Sequence, residues 1–466
     1  MRRLSPLQIY KYLPGTNCKE CGESSCMAFA STLIEREHKA EDCIPLMEEE
    51  KYAKKRDKLI ELLTPPIREI RIGNGDKEVI IGGEAVMYRH DLTYFNPAAL
   101  FIDVDDAMTK EELYEKVENI RNFKITRIGQ ELVLDGIAVR SKTKDATKFG
   151  ETVLSIVEKY DLPLILCSYS PEILEVGLEI AAERKPLLYA ANKDNWGDFA
   201  KLALKHGCPV VASSPGDPQG LTELVQNLLN NGVQDIVLDI GSYPTGEKFY
   251  EMNENLAMLR RLAIEDEVKI LGYPILGVPM IAWMKEKDEV KAGMMEATLA
   301  GAQLLRYCDA LILHSPETWA LLPIVTLRQN IYTDPRSPIS VEAGIREIGK
   351  PNENSPVMIT SNFALTYYTV AGDLESSKLS CYVLVVDTEG LAVEVAMAGS
   401  KLTASGINEG IEASQIMEKI KHKKLIIPGR TARLSGEIED TTGWEILVGP
   451  IDSARIGAYL DENWGN

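Results

Sequence analysis

The 466-residue sequence predicts an α/β chain: a TIM barrel flanked by a small N-terminal cysteine-bearing domain and a C-terminal Rossmann-like α/β domain. Three observations predict it. Four of the eight cysteines fall within the first 43 positions. Eight short runs rich in Val, Ile and Leu then recur with starts 22 to 42 residues apart and helical stretches between them, which is the period of a βα unit. Beyond His314 the texture changes, and four more strand-like runs each end in a polar or glycine-rich turn.

The first block runs to residue 63. Ser5-Pro6 opens a helix whose apolar face is Leu7, Tyr10 and Leu13, and Pro14-Gly15 closes it. A loop of small residues follows, and a second helix runs from Cys26 through Phe29 and Leu33 to Ile34. Cys18, Cys21, Cys26 and Cys43 make a C-x2-C-x4-C-x16-C pattern, with Pro45 close behind the last. In a chain expected to be cytosolic, such a group reads as a metal site, not as disulfides. Three close thiolates wrapped by a loop and a fourth returning from a distance suit a cubane iron–sulfur cluster. Structural zinc more often shows two separated C-x2-C pairs; it and a metal-free site are the other readings. A charged helix from Met47 to Leu63 ends the block, and Thr64-Pro65-Pro66 forms a linker.

Residues 64–325 hold the eight runs: Ala99–Asp103, Leu132–Asp135, Leu162–Cys167, Pro186–Ala190, Cys208–Ala212, Asp235–Asp239, Val268–Leu271 and Ala310–His314. Apolar strands alternating with helices argue a parallel sheet, and eight units in this length fit a barrel. A doubly wound open sheet is the alternative. Several runs end in polar groups, Asp103, Asp135, Ser168, Asn192, Asp239 and His314, which serve either catalysis or the capping of the next helix. No H-E-x-x-H, G-x-S-x-G or G-x-x-x-x-G-K-[ST] motif occurs. Cys167, Cys208, Cys308 and Cys381 sit in or beside apolar runs and read as small buried hydrophobes.

Residues 326–466 open with a long connecting segment, Thr326 to Pro356. Strands are expected at Pro356–Thr360, Cys381–Val386, Lys424–Ile427 and Trp444–Val448, with a ligand crevice at their carboxyl ends. The uncharged stretch Asn354 to Gly372 brings Ser361, Asn362, Thr366, Tyr367 and Tyr368 as candidate contacts for a large, largely apolar cofactor. Gly429, Gly436 and Gly449 would let backbone approach it. A turn-rich edge of an ordinary α/β domain is the other reading.

Acidic side chains outnumber basic ones by 70 to 51, a net charge of −19 with a pI near 4.9, so nucleic acid and anionic membrane surfaces are not expected partners. The longest uncharged runs, Ile270–Met284 and Asn354–Gly372, are too short or too polar to span a membrane. The stretch Met1 to Pro6 lacks the apolar core of a leader. A soluble, cytoplasmic chain is expected.

The chain resembles the large (gamma) subunit of the corrinoid/iron–sulfur protein of the acetyl-CoA decarbonylase/synthase complex. The likeness rests on Ile9-Tyr-Lys-Tyr-Leu-Pro14, the spacing of Cys18, Cys21, Cys26 and Cys43, Tyr189 to Trp196, and Ile331 to Arg336. It continues through Asn362 to Tyr368, Ile427-Pro-Gly429 and Val448-Gly-Pro450.

The resemblance implies a [4Fe-4S] cluster on those cysteines and a corrinoid (cobamide) on the C-terminal domain. The implied activity is methyl transfer on cobalt between a methyl-tetrahydropterin (tetrahydrosarcinapterin or tetrahydrofolate) and acetyl-CoA synthase, in acetyl-CoA synthesis or cleavage. The cobalt is the reactive centre, no side chain is catalytic, and the cluster returns Co(II) to Co(I). Implied corrinoid contacts are Ser340, Gly344, Thr360, Ser361, Asn362, Phe363, Thr366, Gly429, Leu434, Ser435, Gly436 and Gly449. None of the five histidines lies in an Asp-x-His-x-x-Gly loop, which agrees with a base-off corrinoid lacking a histidine ligand. Implied partners are a small (delta) barrel subunit that covers the corrinoid, acetyl-CoA synthase, carbon monoxide dehydrogenase and a ferredoxin-type reductant. The alternatives are a methyltransferase that binds pterin in its own barrel, or a purely electron-transferring iron–sulfur subunit.

Overall fold

A computed structural model describes residues 4–464. Residues 1–3, part of the stretch read for a leader, and residues 465–466 lie outside it. Two compact units make up the chain: residues up to 125 with 132–333, and residues 126–131 with 334 onward.

The first unit begins with a small helical lobe. Ser5 caps the helix Pro6–Tyr10 reciprocally: its side chain accepts the Gln8 N–H, and Gln8 Oε1 accepts the Ser5 N–H at 2.9 Å. Ser25 caps Cys26–Ile34 one way only, its side chain accepting the Ala28 N–H at 3.2 Å. Ile9, Leu13, Phe29, Leu33, Leu46 and Leu59 are buried together as the lobe's core. The expected charged helix from Met47 is shorter, starting at Ala53. Pro45 confines a separate turn of helix to Ile44–Glu48, and extended backbone at Glu49 breaks the axis.

Eight strands follow: β1 (Ala99–Asp105), β2 (Gly136–Arg140), β3 (Leu164–Cys167), β4 (Leu187–Ala191), β5 (Val210–Ser213), β6 (Ile236–Asp239), β7 (Leu276–Gly277) and β8 (Ala310–Leu313). All pair in parallel, in the order β6-β5-β4-β3-β2-β1-β8-β7. A parallel bridge between Leu238 and Ile275 joins the two edges, so the sheet closes as a barrel and the open doubly wound alternative fails. Strands buried on both faces must be apolar on both, which is why β1 reads as a continuous run: all seven of its residues are buried. Phe101, Ile165, Val211, Val237 and Ile312 fill the interior. The hairpin Ile70–Ile72/Val79–Ile81 adds Ile70, Ile72 and Ile81 to the same core. It is held at the amino-terminal end by Gly73 N–H to Lys185 O at 3.1 Å and Arg68 N–H to Gly272 O at 3.0 Å.

Two expected barrel strands lie elsewhere. Leu132 and Val133 end a small two-stranded sheet, Lys124–Arg127 with Gln130–Val133, and the barrel strand starts at Gly136. A Cβ at Gly136 would lie 2.5 Å from both the Phe101 ring and Pro163 O, so only glycine lets that strand enter. Lys269–Leu271 is a 3-10 turn drawn against Pro66, whose carbonyl would lie 2.3 Å from a Cβ at Gly272. The strand forms after Pro274, at Leu276.

The second unit is a five-stranded sheet, β9 (Gly344–Ile348), β10 (Val357–Ser361), β11 (Cys381–Val386), β12 (Lys424–Ile427) and β13 (Glu445–Val448), in the order β9-β11-β10-β12-β13. Four strands are parallel and β9 runs antiparallel at one edge. The segment Thr326–Pro356 is therefore only in part a connection. It begins in the helix Thr318–Tyr332 and contains β9, paired residue for residue with Cys381–Val385. Among the described residues no helix is long and apolar enough to cross a membrane.

Candidate functional site

The four clustered cysteines lie on the helical lobe. Positive φ angles at Asn17 (51°), Lys19 (67°) and Gly22 (88°) curl the loop that carries Cys18 and Cys21. Asn17 Oδ1 accepts the Cys26 N–H at 2.9 Å, tying that loop to the start of the next helix. His38 bridges Glu23 in the loop, at 3.3 Å, and Asp42 beside Cys43, at 3.0 Å, so the returning segment is held to the first three thiols. Cys18 is exposed, Cys21 half-buried, and Cys26 and Cys43 buried. Burial pushes the Cys43 thiol up, and the neighbouring thiols of Cys26, Cys21 and Cys18 add to the rise. Four thiols thus share one electrostatic neighbourhood, although among the described residues no three His, Cys, Asp or Glu side chains are gathered at metal-ligand spacing. An all-sulfur set of four fits an iron–sulfur cluster better than a hard cation.

The other four cysteines are buried, and burial pushes Cys208 up to about 11 and Cys381 up to about 12, which leaves them unreactive near neutral pH.

At the carboxyl end of the barrel, the polar groups satisfy one another. His314 Nδ1 lies 2.5 Å from Asp103 Oδ1, Arg140 donates to Asp103 Oδ2 at 3.0 and 3.1 Å, and Lys116 Nζ is 3.6 Å away. Burial alone raises the Asp103 carboxyl, but the His314 contact and the charges of Lys116 and Arg140 outweigh it and bring it to about 2. Asp239 accepts from Tyr189 OH at 3.0 Å, Ser213 Oγ at 2.7 Å and the Gly241 N–H at 2.8 Å, and burial still pushes its carboxyl up. Ser168 and Asn192 shape turns by accepting N–H groups two or three residues on. Asp135 stands before β2, not at a strand's carboxyl end, and accepts the Leu100 N–H while pairing with Arg328.

The second unit carries a cavity of about 400 Å³ at the carboxyl ends of β10, β12 and β13. Thr360, Thr366 and Gly449, all sequence candidates, line it. Its mouth is ringed by apolar side chains that water reaches: Leu365 is 48% exposed, Val395 56% and Ile451 68%. In the lining, Thr360 Oγ1 is buried with no hydrogen-bond partner; Ser361 Oγ, at the end of the same strand, also lacks one but lies outside the lining. Buried hydroxyls are normally paired, so the Thr360 hydroxyl is available to a polar group entering the cavity, whereas Ser361, the next residue of the strand, is not part of the lining. An apolar rim over a pit with an unpaired hydroxyl fits a large, mostly apolar cofactor with polar arms.

The remaining candidates, Ser361 among them, lie outside the cavity lining. Ser340, Asn362 and Phe363 form a second cluster beside the cavity, joined by an antiparallel bridge between Ser340 and Phe363. There Asn362 is already used. Its Oδ1 accepts from Thr388 N, Thr388 Oγ1 and Gly390 N at 2.8 to 3.0 Å, and its Nδ2 donates to Asp387 at 2.9 Å. Leu434, Ser435 and Gly436 open the helix Ser435–Thr442; a Cβ at Gly436 meets nothing within 4 Å. Gly344 starts the edge strand. Gly429 serves packing, since a Cβ there would lie 2.7 Å from Gly449 O. Tyr367 and Tyr368 stack edge-on with each other, 5.1 Å between centroids, outside the cavity lining. Glu394, Arg430 and Ile451 line the cavity but come from three separate segments, the helix Val393–Ala398, the 3-10 turns Gly429–Leu434 and the turn after β13; only the placement of Arg430 after Pro428-Gly429 and of Ile451 after Gly449-Pro450 hinted at a role.

His422, the single histidine beyond residue 314, accepts the Lys424 N–H at 3.2 Å and packs on Trp464. It stands at the amino end of β12, whereas the cavity opens at the carboxyl ends.

A family model described as an Fe-S cluster matches residues 13–45. Among solved structures, the chain is 16% identical to dihydropteroate synthase from Thermus thermophilus, with a TM-score of 0.40 over 57% of this chain and 100% of that one. The family model of the CO dehydrogenase/acetyl-CoA synthase delta subunit matches residues 69–460. Over 467 residues, covering 100% of this chain and 99% of the relative, it is 46% identical to acetyl-CoA decarbonylase/synthase complex subunit gamma 2 of Methanosarcina thermophila. It is 44% identical to subunit gamma of Methanothermobacter thermautotrophicus, covering 99% of each chain. With the cluster lobe, the closed barrel and this full-length identity together, the chain belongs to the gamma-subunit family of the acetyl-CoA decarbonylase/synthase complex.

Proposed function

We propose that the chain carries a [4Fe-4S] cluster on Cys18, Cys21, Cys26 and Cys43 and a base-off corrinoid on its second unit, and serves as the methyl carrier of the complex. The domains of this reading are 1–63 for the cluster, 64–325 for the barrel and 326–466 for the corrinoid. The observation that carries it is the rimmed cavity with the unpaired hydroxyl of Thr360 in its lining. When bound, the corrinoid supplies a cobalt centre that takes a methyl group from a methyl-tetrahydropterin and yields it to acetyl-CoA synthase, and the cluster supplies the low-potential electron that restores Co(I).

The chain's own part is to bind and orient. Leu365, Val395 and Ile451 give the macrocycle an apolar seat, while Thr360 and Thr366 accept or donate to a polar arm that enters the cavity. A cavity of about 400 Å³ would hold only part of such a cofactor, so Leu365, Val395 and Ile451 at the rim would seat the rest and leave it open to cover by a second subunit. The small (delta) subunit is that cover in this reading, and a ferredoxin-type protein the reductant. The place of His422, away from the cavity, supports a corrinoid with no histidine ligand from this unit. Asp103, Arg140 and His314 are paired with one another, which gives those three residues less support as a pterin site in the barrel.

Thr366→Trp in the full chain tests the proposal. Corrinoid content, read from visible absorption after anaerobic purification, should fall at least severalfold while the cluster's iron content stays constant. Full corrinoid retention in that variant would place the site outside the cavity.

A further inference from the structure

Two oppositely charged side chains share the mouth of the cavity. Arg430 follows β12, Glu394 lies in the helix Val393–Ala398, and the guanidinium Nη1 contacts Glu394 Oε1 directly. Both side chains are about half exposed, at 50% and 58%, so water screens the pair and holds it weakly. Around them the lining is apolar, apart from the threonines and Ser453. A pair of full charges at the lip of an apolar pit does little for folding. It does set which ligands can enter: while Glu394 holds the guanidinium, the mouth is neutral.

We propose that Arg430 is the anion-recognising residue of this site and that Glu394 is its placeholder, released when a ligand phosphate arrives. The inference rests on the corrinoid reading. A complete cobamide carries a phosphodiester in the arm that leads to its lower base, and a base-off cofactor extends that arm away from the macrocycle. The cavity is where an extended arm has room to go. A guanidinium offers a planar fork of donors to phosphate oxygens, a stronger partner than a solvent-shared carboxylate. Arg430 would therefore select complete cobamides over cobinamides, which lack the phosphate and the base.

The test is an anaerobic titration of the full chain, freed of corrinoid, with cob(II)alamin and separately with cob(II)inamide, followed by visible absorption. For Arg430→Gln, cobalamin affinity should fall about tenfold, equivalent to about 1.4 kcal/mol, with cobinamide affinity unchanged. Glu394→Gln, which frees the guanidinium, should raise cobalamin affinity severalfold and again leave cobinamide unchanged. Raising the salt concentration should weaken cobalamin binding in the natural protein and have little effect in Arg430→Gln. Equal losses for both ligands in Arg430→Gln, or no loss for either, would overturn the role of Arg430 while leaving the corrinoid site standing. If the natural protein bound neither ligand, the corrinoid reading itself would fall, and the placeholder with it.

Discussion

Thr360→Val should make the second unit more stable and a worse binder at once. Thr360 Oγ1 is buried at the end of β10 with no partner, and the residue is 2% exposed. An unpaired buried hydroxyl costs about 1–3 kcal/mol in proteins. Valine has the same shape, keeps the β-branched preference for a strand, and removes that cost. Discounting for relaxation around the new methyl, the expected gain is about 1 kcal/mol. Amide hydrogen exchange followed by mass spectrometry reads this within the full chain: amides of β10 and β11 should exchange about fivefold more slowly in the corrinoid-free variant. Corrinoid affinity should fall by about tenfold, because the hydroxyl no longer meets the ligand's polar arm. A variant that exchanged faster, or that bound corrinoid as the natural protein does, would refute the view that this hydroxyl is kept unpaired for a ligand.

Other outcomes follow from the first unit. Replacing any one of Cys18, Cys21, Cys26 or Cys43 by Ala should abolish the intact cluster, seen as loss of iron and of its broad absorption, with corrinoid content unchanged and reductive reactivation of cobalt lost. Arg260 is fully buried between Glu84, at 2.8 Å, and Asp309, at 2.6 Å. Arg260→Met strands two carboxylates and should destabilise the barrel by about 3–5 kcal/mol in denaturant unfolding. Asp103 has a carboxyl held at about 2 against an ordinary 3.8, so its folded form is favoured by about 2 kcal/mol when ionised. That contribution is present in full above about pH 5 and is lost as pH falls through the folded value near 2; Asp103→Asn should flatten barrel stability over this acid window in a pH series of unfolding curves.

Much of this architecture is legible in residue patterns, and the exceptions have physical causes. β1, β3, β5 and β6 stand out because both faces are buried, which forces unbroken Val, Ile and Leu runs. Leu132–Asp135 has a similar look but alternates, with Val133 39% exposed, and belongs to a small hairpin ahead of the true strand. β7 is two residues long, too short to leave a pattern, and its place is set by Pro274 and by Asp309 accepting the Ile275 N–H at 2.6 Å. β9 hides because an edge strand is half wet: Gly-Ile-Arg-Glu-Ile carries charges where a central strand cannot. The cysteine group shows plainly, since ligand spacing is local. The cavity is only half visible. Thr360 and Thr366 lie in one uncharged stretch, but Glu394, Arg430 and Ile451 meet there from three distant segments, and the sheet order that joins them is a tertiary fact.

The central claim, two cofactors on separate parts of one chain, meets its most direct test in the metal content of the protein purified without oxygen. The account predicts about four irons and about one cobalt per chain, with corrinoid absorption lying over that of the cluster. Iron without cobalt, in a preparation that also fails to take up added corrinoid, would contradict it.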